Sequence, residues 1–258
     1  MLVDAIVIAG GTPQPGDPLY QYTQGRPKAL LEVGGRPMVH YVLSALSAAP
    51  SVRRIVVVGL SAETLPSENS QLLACLPNQG DMFANILAGM RRLVAADTDA
   101  RWALIVGTDI PAITPTSIEW LTTMMEPGEH DVYYTVIRRE VMEQRYPHSR
   151  RSYACLRDGA FAGGDVHGVA LSLFHQSHPV WEKLIAARKS VWKLAALIGP
   201  GVLLRFSLGR LTLREAEIAV SKRLGVRGRA VVCPYAEIGM DVDKPSQYEL
   251  ICRELAAI

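Results

Sequence analysis

The feature that most constrains this chain is a short run rich in Val and Ile, Leu2 to Ala9, that breaks off at Gly10-Gly11. The run is apolar on both alternating faces, as expected of a parallel strand covered by helices on each side. Two glycines at its end let the backbone turn sharply and let another group approach closely. From Gly11 to Pro27 there are four prolines and no apolar period, which reads as a long loop of the kind that usually carries function.

The same grammar then repeats. Pro37 to Ala49 places apolar residues at Met38, Val39, Val42, Leu43 and Leu46, which is helical spacing, with Pro37 suited to the first turn. Arg54 to Val58 is a second buried strand. Asp81 to Ala96 is a second amphipathic helix. Trp102 to Gly107 is a third strand, closing on Thr108-Asp109-Ile110-Pro111. Thr116 to Met125 is a third helix, with Thr114 or Thr116 as its cap. Such alternation argues a three-layer α/β/α, Rossmann-like architecture with a mostly parallel sheet. The polar ends of the first and third strands then share one edge, the carboxyl edge where open α/β sheets bind ligands.

Beyond residue 130 the pattern changes. Strands are expected at Asp131 to Ile137, Tyr153 to Leu156, Val166 to Phe174, Val202 to Leu208 and Ala230 to Cys233. Arg138 to Arg151 reads as basic and turn-rich. Helices are expected at Pro179 to Ile198, Arg214 to Leu224 and Ser246 to Ala257, the last capped by Ser246. With no repeat and no Pro/Gly-rich linker, one domain over 1–258 is preferred, with an elaborated C-terminal half. Its parts are a first half over 1–125, a second over 126–235 and a closing segment over 236–258.

Composition removes several classes. Hydrophobic residues are 49% and charged residues 20% of 258, enough for a core and too few charges for disorder. Lys+Arg 27 against Asp+Glu 25 leaves a net charge of +2, which predicts no nucleic-acid partner. Cys75, Cys155, Cys233 and Cys252 lie far apart with no CxxC, so neither a disulfide framework nor a zinc module organises the chain, and reduced, mostly buried thiols are expected. The longest apolar stretch, Leu194 to Leu204, contains Pro200 and falls well short of the ~20 residues a membrane span needs. With no basic n-region before the first strand, a cytoplasmic protein is the expectation.

The chemistry begins at Ala9-Gly10-Gly11, joined through the long loop to Arg26-Pro27-Lys28-Ala29-Leu30-Leu31 and Gly34-Gly35-Arg36-Pro37. Backbone amides after a strand can cradle a phosphate, and a returning lysine adds a point charge for it. This stretch resembles the N-terminal signature of the nucleotidyltransferase superfamily with a MobA-like or sugar-nucleotide-pyrophosphorylase fold, an architecture shared with GT-A enzymes. The resemblance implies that Ala9, Gly10, Gly11 and Lys28 bind a nucleoside triphosphate, with Lys28, Arg26 and Asp109 as the catalytic set. The family usually keeps an Arg-Met pair shortly after its glycines, whereas this chain has Thr12-Pro13-Gln14-Pro15-Gly16. Either Arg26 replaces that arginine, or triphosphate binding is weaker, or nucleotide preference differs.

Four further segments fit the same resemblance. Gly107-Thr108-Asp109-Ile110-Pro111 is similar to the family's metal-binding segment, which implies Asp109 as a ligand of Mg²⁺ or Mn²⁺. Gly239-Met240-Asp241-Val242-Asp243-Lys244-Pro245 is similar to the closing D-[IV]-D-T-P segment. Alternate residues of an extended strand share a side, so Asp241 and Asp243 are both expected near the metal. Two converging carboxylates repel unless a cation joins them. Gly80 and Asn85, at the start of a helix, match the place where the family contacts base and ribose. Gly163-Gly164-Asp165 and the basic Arg188, Lys189 and Lys193 are expected on the acceptor side, with Gly164, Asp165 and Lys189 binding the acceptor.

Together these imply a metal-dependent enzyme that moves a nucleoside monophosphate from an NTP to a phosphorylated small molecule, with pyrophosphate released. A homodimer stays open, and no membrane partner is expected. Two rivals remain: a GT-A-type glycosyltransferase, for which Asp241-Val242-Asp243 is formally a D-x-D, and a non-catalytic nucleotide-binding regulatory protein. A dinucleotide fold is disfavoured because G-x-G-x-x-G spacing is missing, and a P-loop is excluded by the lack of G-K-[ST].

Overall fold

The computed structural model describes residues 1–66, 69–96, 101–175 and 199–256. Within them the chain builds a nine-stranded sheet in the order β5-β4-β1-β6-β10-β7-β9-β8, with β11 pairing to β7 outside that path. The strands are β1 Val3–Ile8, β4 Val52–Val58, β5 Leu72–Leu76, β6 Trp102–Gly107, β7 Val132–Arg138, β8 Ala154–Leu156, β9 Gly159–Gly163, β10 Val166–Ala170 and β11 Gly228–Cys233. A separate two-stranded ribbon joins β2 Glu32–Val33 to β3 Arg36–Pro37.

Pairing is parallel for β5-β4-β1-β6 and for β11 with β7. β10 runs antiparallel to both of its neighbours, β6 and β7. The sheet is therefore mixed, mostly parallel, with helices on both sides.

Two cores follow from the period of two along each strand. Val3, Ala5 and Val7 of β1 face one side, packed with residues of α2 (Met38–Ala48) and α4 (Pro115–Met125). Ile6 of β1 faces the other side with Ile86, Met90 and Leu93 of α3 (Met82–Val94). Caps set the helix starts locally. Asp81 accepts from Ala84 N at 3.1 Å at the head of α3, and Thr114 accepts from Ser117 N at 3.2 Å at the head of α4.

Several expectations are corrected. Val202 to Leu208 is not a strand but part of the helix Pro200–Ser207, opened by Gly199 and by proline at its first position. A short apolar run cannot separate the two by period alone. The basic stretch holds a helix, α5 Arg139–Arg145, where turns were expected. The expected strand Val166 to Phe174 stops at Ala170 and turns into the short helix Ser172–His175. The final helix, Pro245–Leu255, is entered through Lys244 rather than Ser246. The Gln247 carboxamide accepts from the amides of Asp243 and Lys244, both at 2.9 Å, and so supplies the cap from inside. Pro37 ends β3 and sits just before α2 rather than within its first turn. β5 was not foreseen. Of the cysteines only Cys233 is buried; Cys155 is exposed. The expected helical region Pro179 to Ile198, with Arg188, Lys189 and Lys193, lies outside the described residues. No described helix is long and apolar enough to cross a membrane.

Candidate active site

The ends of β1 and β6 lie side by side, with Ile8 paired to Gly107. β1 continues through buried Ala9, whose amide donates to Val58 O at 2.8 Å. Gly10 is wedged in place: a Cβ there would stand 2.6 Å from both Asn78 Oδ1 and Asn85 Nδ2. Gly11 differs, because a Cβ there would meet nothing within 4 Å. The bend therefore presents an open stretch of backbone at Gly11 and a packed one at Gly10.

The loop that leaves Gly11 returns to it. Lys28 N donates to Gly11 O at 2.8 Å, which fixes the lysine beside the glycine bend. The flanking chain is tied to the final helix: Tyr22 packs against Tyr248 with centroids 4.5 Å apart, and Tyr248 OH donates to Glu32 O at 3.0 Å. Lys28 Nζ then donates to Asp109 Oδ2 at 2.6 Å and to Asp243 Oδ1. Asp109 follows β6, and Asp243 comes from the closing segment, which is tied to the same place by Val242 N donating to Asp109 O at 2.8 Å. Burial opposes the Lys28 charge, but Asp109 and Asp243 outweigh it and hold the ammonium above its ordinary pKa. Gly107 is required by the same cluster, since a Cβ would lie 2.7 Å from Asp109 Oδ1.

Asp241 and Asp243 have different partners. Asp241 is buried and pairs with Arg151, whose second amine donates to Gly163 O at 3.2 Å. The expected trio Asp109, Asp241 and Asp243 is thus split: Asp109 and Asp243 meet on Lys28, while Asp241 is committed to Arg151. Among the described residues no group of three His, Cys, Asp or Glu side chains is arranged to hold a metal ion. The pair Asp109 and Asp243 does suit a hard divalent cation, because Mg²⁺ is commonly held by one or two carboxylates plus substrate phosphates and water. The ammonium of Lys28 now occupies the position between them.

Asp165 lies at the start of β10, held by its backbone: its amide donates to Ile238 O and its carbonyl accepts from Gly107 N, both at 2.9 Å. Among the described residues its Oδ2 has no hydrogen-bond partner. Burial, with Asp109 adding repulsion, raises its carboxyl to about 7. Gly164 is buried and serves packing, since a Cβ would press on Thr135 and Ile238.

At the helix start, Asn85 is buried and its amide is used within the protein. It accepts from Gln79 N at 2.7 Å and donates to Asn78 Oδ1 at 3.1 Å. Asn78 in turn donates to Gly10 O at 2.8 Å and accepts from Gly80 N at 3.0 Å. Asn85 therefore braces the 78–80 loop against Gly10 rather than facing a ligand. Gly80 stands at φ +90° with open space around it. Arg26 is exposed and folds back on its own turn, its N and Nε both donating to Thr23 O, apart from the Lys28 cluster. Sequence reasoning passed over Arg151 and Asn78. An excess of carboxylates at one sheet edge would have pointed to a basic partner such as Arg151.

Comparison with known proteins places the family and the fold. The model of the MobA-like NTP transferase domain matches residues 5–205. A 2-C-methyl-D-erythritol 4-phosphate cytidylyltransferase of Cupriavidus pinatubonensis is 32% identical over 117 residues, 41% of this chain and 45% of that protein. The bifunctional protein GlmU of Xanthobacter autotrophicus is 30% identical over 104 residues, 40% of this chain and 23% of that protein. The matched segments thus span less than half the length of these curated relatives. Among solved structures, a hypothetical transferase from Thermus thermophilus superposes with a TM-score of 0.81 at 34% identity, over 96% of this chain and 100% of that one. CMP:2-keto-3-deoxy-manno-octonic acid synthetase, solved with CTP, shares the fold at a TM-score of 0.60 and 14% identity, over 99% and 98% of the two chains.

Proposed function

The chain belongs to the MobA-like NTP transferase domain family, and from that premise we propose that it transfers a nucleoside monophosphate from an NTP to a phosphorylated small molecule. An acceptor phosphate oxygen attacks the α-phosphorus in line; the new P–O bond forms as the bond to pyrophosphate breaks. The observation that carries this reading is Lys28, held beside the open Gly11 backbone and shared by Asp109 and Asp243.

Phosphoryl transfer asks for little covalent help, so positioning and charge neutralisation dominate. The amide path at Gly10 and Gly11 receives the anionic tail. Lys28 exchanges its carboxylates for phosphate oxygens when the nucleotide arrives, which frees Asp109 and Asp243. Mg²⁺ or Mn²⁺ on those two carboxylates would neutralise phosphate charge. Asn78, Gln79 and Gly80, braced by Asn85, line the approach for the base and ribose. The divergence of Asp241 toward Arg151 speaks against a D-x-D acting as one unit, and so against the glycosyltransferase rival.

The test is a thermal-shift panel of the four NTPs with Mg²⁺, followed by pyrophosphate release against a library of phosphate esters. Ligand at 100 times its Kd raises stability by about 2.7 kcal/mol, which such a panel resolves. One NTP that stabilises, together with pyrophosphate release on one ester, is the expected result. Stabilisation with no turnover on any ester favours the regulatory rival, and no stabilisation by any NTP removes the reading.

A further inference from the structure

Beside the carboxylate cluster lies a cavity of about 480 Å³ whose walls include Glu143, His148, Ser149, Arg150, Arg151 and Tyr153. Arg151 is the wall shared with the site, through its pair with Asp241 and its bond to Gly163 O. The loop is pinned a second time where Lys244, next to Asp243, donates from Nζ to Arg150 O at 3.0 Å. A ligand in this cavity would therefore sit next to the place where the nucleotide's phosphates are expected.

The backbone of the loop is unusual. His148 at φ 70° and Arg150 at φ 53° are both non-glycine residues in the left-handed region, on either side of buried Ser149. Such conformations persist where the surroundings over-determine them, and they concentrate at ligand sites. Arg150 is exposed, while the amide of buried Ser149 donates to Tyr146 O at 3.2 Å.

The charges point to an anion. Arg151 is already neutralised by Asp241, and the rim residue Glu143 is engaged by Arg139 at 3.7 Å. Among the described residues no acidic side chain pairs with Arg150, which leaves its guanidinium available for an incoming oxyanion, with His148 beside it. A guanidinium fork suits phosphate in two-bond geometry. We propose that the 147–153 loop forms the subsite for the acceptor's phosphate group, with Arg150 as its contacting cation. This rests on the transferase reading and adds to it which residues choose the acceptor.

Arg150→Asn removes the charge while keeping a residue that tolerates positive φ. Inorganic phosphate is the probe, titrated by calorimetry at fixed ionic strength in the Lys28→Met background, which weakens phosphate binding at the glycine bend. NTP with Mg²⁺ is titrated into otherwise wild-type protein and into the Arg150→Asn single variant. Phosphate affinity is expected to fall at least tenfold with Arg150→Asn, while NTP affinity stays unchanged. Equal phosphate affinity with and without Arg150, or no phosphate binding at all, overturns the subsite, and NTP binding then leaves the transferase reading standing. Arg150-dependent phosphate binding in a protein that binds no NTP supports the anion subsite while removing the transferase reading.

Discussion

Lys28 Nζ lies 2.6 Å from Asp109 Oδ2, so that two residues 81 positions apart in sequence meet at the edge of the sheet. Asp243 completes the contact from the far end of the chain. A cation held by two carboxylates in this way competes with any metal that would use the same oxygens. Lys28→Met should therefore act in two directions at once. NTP affinity should fall by about 10- to 150-fold, the equivalent of losing one charged hydrogen bond of about 1.5–3 kcal/mol. Mn²⁺ binding without nucleotide, followed by paramagnetic resonance, should tighten. Wild-type affinity for both would mean that Lys28 only ties the loop.

Gly11 and Gly107 should separate binding from folding. A methyl group at Gly11 meets open space, so Gly11→Ala should change unfolding free energy by no more than about 0.5 kcal/mol, as at other open surface sites. It should still weaken NTP binding, because the methyl occupies the path of the phosphates. At Gly107 the added carbon meets Asp109 itself, so Gly107→Ala should displace that carboxylate and lower turnover. Urea unfolding and nucleotide titration on the same samples distinguish the two. A Gly11→Ala protein with unaltered NTP affinity would move the phosphates elsewhere.

Asn85 should prove structural. Replacing it by Leu leaves the Gln79 amide without its partner and removes one of the two donors on the Asn78 carbonyl, the Gly80 amide remaining. The expected loss is about 1–3 kcal/mol, read from urea unfolding. Asn78→Ala removes the bonds to Gly10 O, Gly80 N and Asn85 Nδ2, so it should cost stability too, and it should in addition lower nucleotide affinity. An Asn85→Leu protein as stable as wild type would contradict the brace.

The pH dependence of stability should be flat where two opposed groups cancel. Burial lowers the His167 imidazole to about 4 and, two residues earlier, burial with Asp109 raises the Asp165 carboxyl to about 7. Between pH 4 and 6.5 the unfolded chain holds a proton on histidine and none on aspartate, and the folded chain holds the reverse. Equal proton counts give no slope. Asp165→Asn removes the compensation, so Tm in EDTA should then rise with pH across that window. His167→Gln should make Tm fall as pH rises through it. Parallel curves for wild type and both variants would refute the pairing.

Much of the first half could be read from sequence because its strands are buried on both faces and its glycines mark their ends. β5 escaped because Leu72–Leu76 is only half-buried at the sheet edge and carries no alternation. The helix Pro200–Ser207 escaped because Val202, Leu203, Leu204 and Phe206 fit either period over so short a run. Lys28, Asp109 and Asp243, singled out by their motifs, do meet in the fold. Their partners were not legible, because spacing along a chain does not say which carboxylate turns toward which cation. Asp241 was expected at the metal for that reason, and its commitment to Arg151 is a property of the closed fold.

The reversed strand β10 has a use beyond filling the sheet. Its two antiparallel neighbours, β6 and β7, arrive at that edge of the sheet with their last residues, whereas β10 departs from it and delivers its first. Asp165 thus reaches the edge beside Gly107 and Asp109 by a route independent of the glycine bend. The hairpin that feeds it can be lengthened, shortened or recoloured with new charge while the N-terminal half stays as it is. On the proposed transfer, a fold wired in this manner could change what receives the group without relearning how to hold its donor.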